Sequence, residues 1–187
     1  MISDGDLQKL DLATDVFGQL LSEQHLIGSQ PSRCEGWSTR DVANHVLGGS
    51  IRYAHYFTGG DPAEVAWSRT ADHVGDDPSS AHHELAAALR REFVRHRDDR
   101  IVLHHPLEDV DAPTLLVMRV QELVLHGWDI ASVIDPDVEM DPGLCRFLLD
   151  RGESVRAMLR EHGAIGPETK PAGARLTSQV LAAWGRE

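Results

Sequence analysis

The sequence predicts an all-α protein: a four-helix bundle with a long crossover between helices 2 and 3 and an extra helical segment at the C-terminus. Apolar residues recur at helical spacing through four long segments. Ser- or Asp-led start signals and Gly- or Pro-containing stops punctuate those segments. No alternating apolar and polar run is long enough to argue for a sheet.

The elements follow in order. Leu7, Leu10, Val16, Leu20 and Leu21 mark a first helix over about residues 3–27, closed by Gly28-Ser-Gln-Pro31. A loop through Cys34-Glu-Gly-Trp37 comes next. Ser38, with Asp41 three residues on, forms a capping-box-type start for a second helix reaching about Phe57. Gly59-Gly-Asp-Pro62 ends it and opens a polar connection over residues 59–79, the expected crossover. A third helix fits about Ser80 to Arg97. Asp111 and Pro113 open a fourth, which runs to about Ile134 and stops at Asp135-Pro136. Asp141-Pro142 repeats the cap-plus-proline signal for a fifth, ending near Glu161. An irregular tail over about 163–187 carries a short terminal helix ending near Trp184. The 187 residues are read as one domain with one core.

Composition bounds the function. A 41% hydrophobic and 26% charged content is that of an ordinary globular protein. A net charge of -12 argues against nucleic acid, whose phosphates call for clustered Lys and Arg. The short basic run of Arg90, Arg91, Arg95, Arg97 and Arg100 alternates with acids and reads as a solvated face. No apolar stretch approaches the roughly 18 residues of a membrane span. The acidic start Met1-Ile-Ser-Asp-Gly-Asp6 lacks the features of a signal peptide, so a cytoplasmic protein is expected, with Cys34 and Cys145 as reduced thiols.

The fourth helix carries the chemistry. Glu122 and His126 are four residues apart, so in a helix they share a face, about 6 Å apart at Cβ. A carboxylate and an imidazole so placed are two ligands for a divalent metal. His45, in the second helix, supplies a third candidate. Together they would make a His/His/carboxylate site with open positions, the way catalytic metal sites are built. Arg119, Glu122, His126 and Asp129 form one polar stripe on an otherwise apolar helix. The alternative reading is a solvent-facing stripe with an Arg119–Glu122 ion pair. His45, Gly48, Gly49 and Arg52 share a side, where the glycines leave room for a ligand or for close helix packing.

Other residues compete less well. The adjacent pairs His82-His83 and His104-His105 diverge in direction, and His55 falls one layer from His45. His25, His73, His96 and His162 read as surface residues. Cys34 reads as a loop cysteine packed beside Trp37, with a thiolate role as the alternative. Gly-x-Ser-x-Gly, Walker, dinucleotide-binding and His-Glu-x-x-His motifs are absent.

Two internal motifs, in order, resemble the mycothiol-dependent maleylpyruvate isomerase family of the DinB-like metal-binding bundles. Pro31-Ser-Arg-Cys-Glu-Gly-Trp-Ser-Thr-Arg-Asp-Val-Ala-Asn-His45 looks like the family's loop leading into the first ligand helix. Glu122-Leu-Val-Leu-His-Gly-Trp-Asp129 looks like its most specific motif, and Ile165-Gly-Pro167 with Arg175-Leu176 to Trp184-Gly-Arg186 is similar to its tail. The resemblance implies a divalent metal, usually zinc, on His45, Glu122 and His126, with mycothiol as thiol cosubstrate. The isomerase proper carries an additional C-terminal domain, so the resemblance does not name maleylpyruvate as the substrate here.

The leading expectation is a metal-dependent S-transferase or isomerase acting on a small electrophile. Asp129 would orient a ligand histidine and Arg52 would receive a substrate carboxylate. A thiol-independent metal hydrolase or isomerase and a non-catalytic metal or small-molecule binding protein remain as alternatives. The expected partner is a small molecule, and the bundle faces are compatible with a homodimer.

Overall fold

A computed structural model describes residues 1–186. Four long helices, α1 (Asp4–Ser22), α2 (Thr39–Tyr56), α3 (Pro78–Arg95) and α4 (Ala112–Ala131), form the bundle. Helix α1 packs on α3 and α4, and α2 packs on the same two, which closes the ring. The chain between α2 and α3 is the expected crossover. Residues Pro62–Arg69 within it wind into 3-10 turns that pack on α2. Among the described residues the only sheet is a hairpin of two short strands, β1 (Leu103–His104) with β2 (Asp109–Val110).

Local chemistry fixes the helix starts. Ser3 with Asp6 and Ser38 with Asp41 form reciprocal capping boxes, satisfying donors that a bare helix end leaves open. Asp111 and Asp141 cap α4 and the helix that follows it, each with a proline in the first turn. The core between the four helices is built from Phe17, Leu21, Val46, Leu47, Phe93, Leu115, Val120 and Leu125, all at 1% exposure or less. Each such side chain contributes roughly 1.5–3 kcal/mol of burial.

The segment expected as one fifth helix is two, α5 (Pro142–Arg151) and α6 (Glu153–Glu161), broken at Gly152. The Trp184 ring packs so closely there that a Cβ on Gly152 would lie 2.7 Å from it. The break therefore makes room for the indole, which is fully buried. Helix α7 (Leu176–Ala183) packs on α5 and returns the end of the chain to the bundle. No helix among the described residues is long and apolar enough to cross a membrane.

Candidate metal centre

The polar stripe of α4 faces inward. Arg119, His126 and Asp129 are buried at 1%, 8% and 0% exposure, and the Glu122 side chain is 19% exposed. Arg119 does not pair with Glu122 as an exposed stripe would have it. Its guanidinium donates to the Val46 carbonyl at 3.0 Å and the Ser50 hydroxyl at 2.7 Å, both on α2. Gly49 leaves room for it, since a Cβ there would sit 3.1 Å from Arg119 Nη1. Gly48 lies against the crossover, where a Cβ would come 2.6 Å from the Ser68 carbonyl oxygen. The two glycines thus serve close packing rather than an open ligand space.

His45 reaches from α2 to the stripe. Its Nε2 is 3.0 Å from Glu122 Oε2, and His126 Nε2 is 3.8 Å from the same oxygen. The three donor atoms lie within 4.8 Å of one another. Two ligand atoms bonded tetrahedrally to one zinc ion stand about 3.4 Å apart, so the spacing and the N, N, O donor set fit a small divalent cation. Burial alone would raise the Glu122 pKa, but His45, His126 and Arg119 overcome it and hold the carboxylate well below its usual range.

His126 is gripped from its other edge. Nδ1 donates to Asp129 Oδ2 at 2.9 Å, leaving Nε2 toward Glu122 and His45. Burial depresses the imidazole, but Asp129, Cys34 and Glu122 outweigh it and carry its pKa up to about 9. A second cluster, Cys34, His126 and Asp129, therefore shares the same ring through Nδ1.

Cys34 is placed by its loop. Pro31 and Ser38 form an isolated antiparallel bridge, and the Cys34 amide donates to Ser32 Oγ at 3.0 Å. The Arg33 amide donates to the Asp129 carbonyl, and its guanidinium bonds Ser132, pinning the loop to the C-terminal end of α4. This sets Cys34 against Asp129, not merely beside Trp37. Trp37 itself lies over His45, with ring centroids 5.1 Å apart.

Cys34, Trp37, His45, Glu122 and His126 line a cavity of about 360 Å³. Gln121, Leu159, Ala164, Ile165 and Arg186 complete it. Arg52 is not among the lining residues. It is 5% exposed and donates to Ser68 and to the His45 carbonyl, the latter at 3.2 Å. Arg186 was not legible as a site residue, because nothing in local spacing ties the last helix to α4. A separate apolar cavity of about 280 Å³ between α1 and α4 contains none of the three donors.

The family model for the mycothiol maleylpyruvate isomerase N-terminal domain matches residues 13–131, more than half of the chain. The chain belongs to this family. The matched stretch of the mycothiol maleylpyruvate isomerase N-terminal domain contains His45, Glu122 and His126, whereas Leu159, Ile165 and Arg186 lie beyond it. Two uncharacterized proteins of Mycobacterium tuberculosis, from different strains, are each 25% identical over 164 residues, covering 86% of this chain and 80% of theirs. The crystal structure of the mycothiol-dependent maleylpyruvate isomerase aligns with a TM-score of 0.57 at 21% identity. That alignment covers 76% of this chain and 66% of the solved one, just under two thirds, and shows a common helical fold.

Proposed function

We propose that this protein is a metal-dependent thiol enzyme in which His45, Glu122 and His126 hold one divalent ion, zinc. Its cosubstrate is mycothiol, and its reaction is S-transfer to, or isomerisation of, a small electrophile. The observation that carries the reading is the convergence of three donor atoms within 4.8 Å on the wall of a cavity large enough for a small molecule. Membership of the mycothiol maleylpyruvate isomerase N-terminal domain family supports the choice of thiol.

The chain's residues divide the work. Asp129 fixes the tautomer and orientation of His126 by accepting its Nδ1–H, as carboxylates behind ligand histidines do. Arg52 steadies the backbone that carries His45 and takes that supporting role rather than receiving a substrate carboxylate. Leu159, Ile165 and Trp37 give the cavity an apolar wall that excludes water and receives the carbon skeleton of the electrophile. When bound, the ion would lower the pKa of a thiol at its open positions and supply a sulfur nucleophile at neutral pH.

Elemental analysis of protein purified without a metal-affinity tag, beside His45→Ala, tests the first half. About one zinc per chain, lost in the variant, is the expected result; no metal in either sample after incubation with zinc would sink the assignment. Screening electrophiles with and without mycothiol tests the second. Turnover that needs no thiol would replace the thiol enzyme with a metal hydrolase or isomerase, and no turnover at all would leave a binding protein.

A further inference from the structure

We propose that Arg186 is a positioning residue of this centre: its guanidinium is a built-in cation on the Nδ1 side of His126. There it fixes the Asp129–His126 pair and confines metal binding to the Nε2 side. The inference rests on the metal reading of His45, Glu122 and His126.

Two donor clusters share one imidazole. On the Nε2 side stand His45 and Glu122, and on the Nδ1 side stand Cys34 and Asp129, each set within 4.8 Å. By donor type both suit zinc, which takes sulfur, nitrogen and carboxylate oxygen alike. They differ in their surroundings. Asp129 has no exposed surface, and both its oxygens are engaged: Oδ2 accepts from His126 Nδ1 at 2.9 Å and from Cys34 Sγ at 3.1 Å. Oδ1 accepts from Arg186 Nη1 at 2.7 Å. The same Nη1 is 3.9 Å from Cys34 Sγ. A positive charge therefore already occupies this cluster, and a second cation placed there would be repelled at contact range. The guanidinium also compensates a fully buried carboxylate, which unpaired would cost several kcal/mol.

Although near the chain end, Arg186 is held. Its amide donates to the Leu181 carbonyl at 2.8 Å, closing the turn after α7. Gly185 makes that turn at φ +66°, and a Cβ there would meet the Gly166 carbonyl oxygen at 2.4 Å, so only glycine fits. Trp184, fully buried, anchors the residue before it. A segment 57 residues downstream of Asp129 thus delivers the charge that orients a ligand on α4. It lies outside the residues that match the family model.

The contact is made through one nitrogen, so a lysine ammonium can replace it, whereas a neutral amide cannot supply the charge. The test is zinc affinity by competition with a chromophoric chelator, for wild type, R186Q and R186K. R186Q is expected to bind zinc about 10–100-fold more weakly, as for other losses behind a ligand histidine, with R186K recovering most of the difference. Affinity of R186Q within about twofold of wild type, or equal losses in both variants, would overturn the proposal. No zinc on wild type would instead fail the metal reading itself, and the proposal with it. If R186Q does not fold, D129N and D129N/R186Q avoid the unpaired buried carboxylate. Matched affinities in that pair support the coupling, and a further tenfold loss in the double variant overturns it.

Discussion

At Cys34 the thiol donates to Asp129 Oδ2 at 3.1 Å and sits 3.8 Å from the His126 ring nitrogen that Asp129 already holds. Sulfur is the best zinc donor in the neighbourhood, yet it lies on the side of the imidazole opposite Glu122 and His45. A serine hydroxyl can make the same bond to Asp129. Cys34→Ser is therefore expected to keep one zinc per chain and most of the activity, whereas His126→Ala is expected to lose the metal. Zinc content of the two purified variants decides this. Loss of metal from Cys34→Ser would put the thiolate in the ligand set and move the centre to the other face of the ring.

At the level of elements, Gly49 and the buried Arg119 guanidinium set the approach of α2 to α4, while Gly48 and the buried Arg52 set the approach of α2 to the crossover turn. Gly48→Ala gains about 1 kcal/mol in helix propensity. The new methyl, however, would lie 2.6 Å from the Ser68 carbonyl and 3.0 Å from Arg52 Nη1. Moving the crossover turn and loosening the Arg52 bonds costs more than that, as overpacking usually does. The expected net loss is about 1–2 kcal/mol, read as a lower denaturant midpoint; a higher midpoint would show that the crossover yields freely. The same elements show what the sequence can and cannot tell. The caps at Ser38, Asp111 and Asp141 mark α2, α4 and α5 because a capping side chain and its partner are neighbours in the chain. Helical spacing likewise put Glu122 over His126. It could not tell a buried stripe from a solvated one, because periodicity groups residues on a face without saying what that face meets. The break at Gly152 depends on Trp184, and the partner of Asp129 is 57 residues away, so neither left a local signal.

The whole bundle's acid stability turns in part on His82, a residue of α3 with no exposed surface. Its Nε2 donates to the Thr14 carbonyl of α1 at 3.0 Å, while Nδ1 is buried without a partner. Only the neutral imidazole suits that setting, since protonation would place an N–H where nothing accepts it. Burial, aided by Arg119 and His83 against the Thr14 bond, lowers the pKa to about 4. The unfolded chain restores the ordinary value near 6.5, so between about pH 6.5 and 4 the unfolded state binds more protons. The contribution is complete above that window and is lost as pH falls through it, by about 2 kcal/mol at pH 5. His82→Gln keeps a donor for Thr14 without the titration. Its stability difference from wild type is therefore expected to shift in the variant's favour by that amount between neutral pH and pH 5 in urea unfolding. A difference that stays constant with pH would mean that the folded bundle accommodates the charged ring, through a partner for Nδ1 or a rearrangement of α1 against α3.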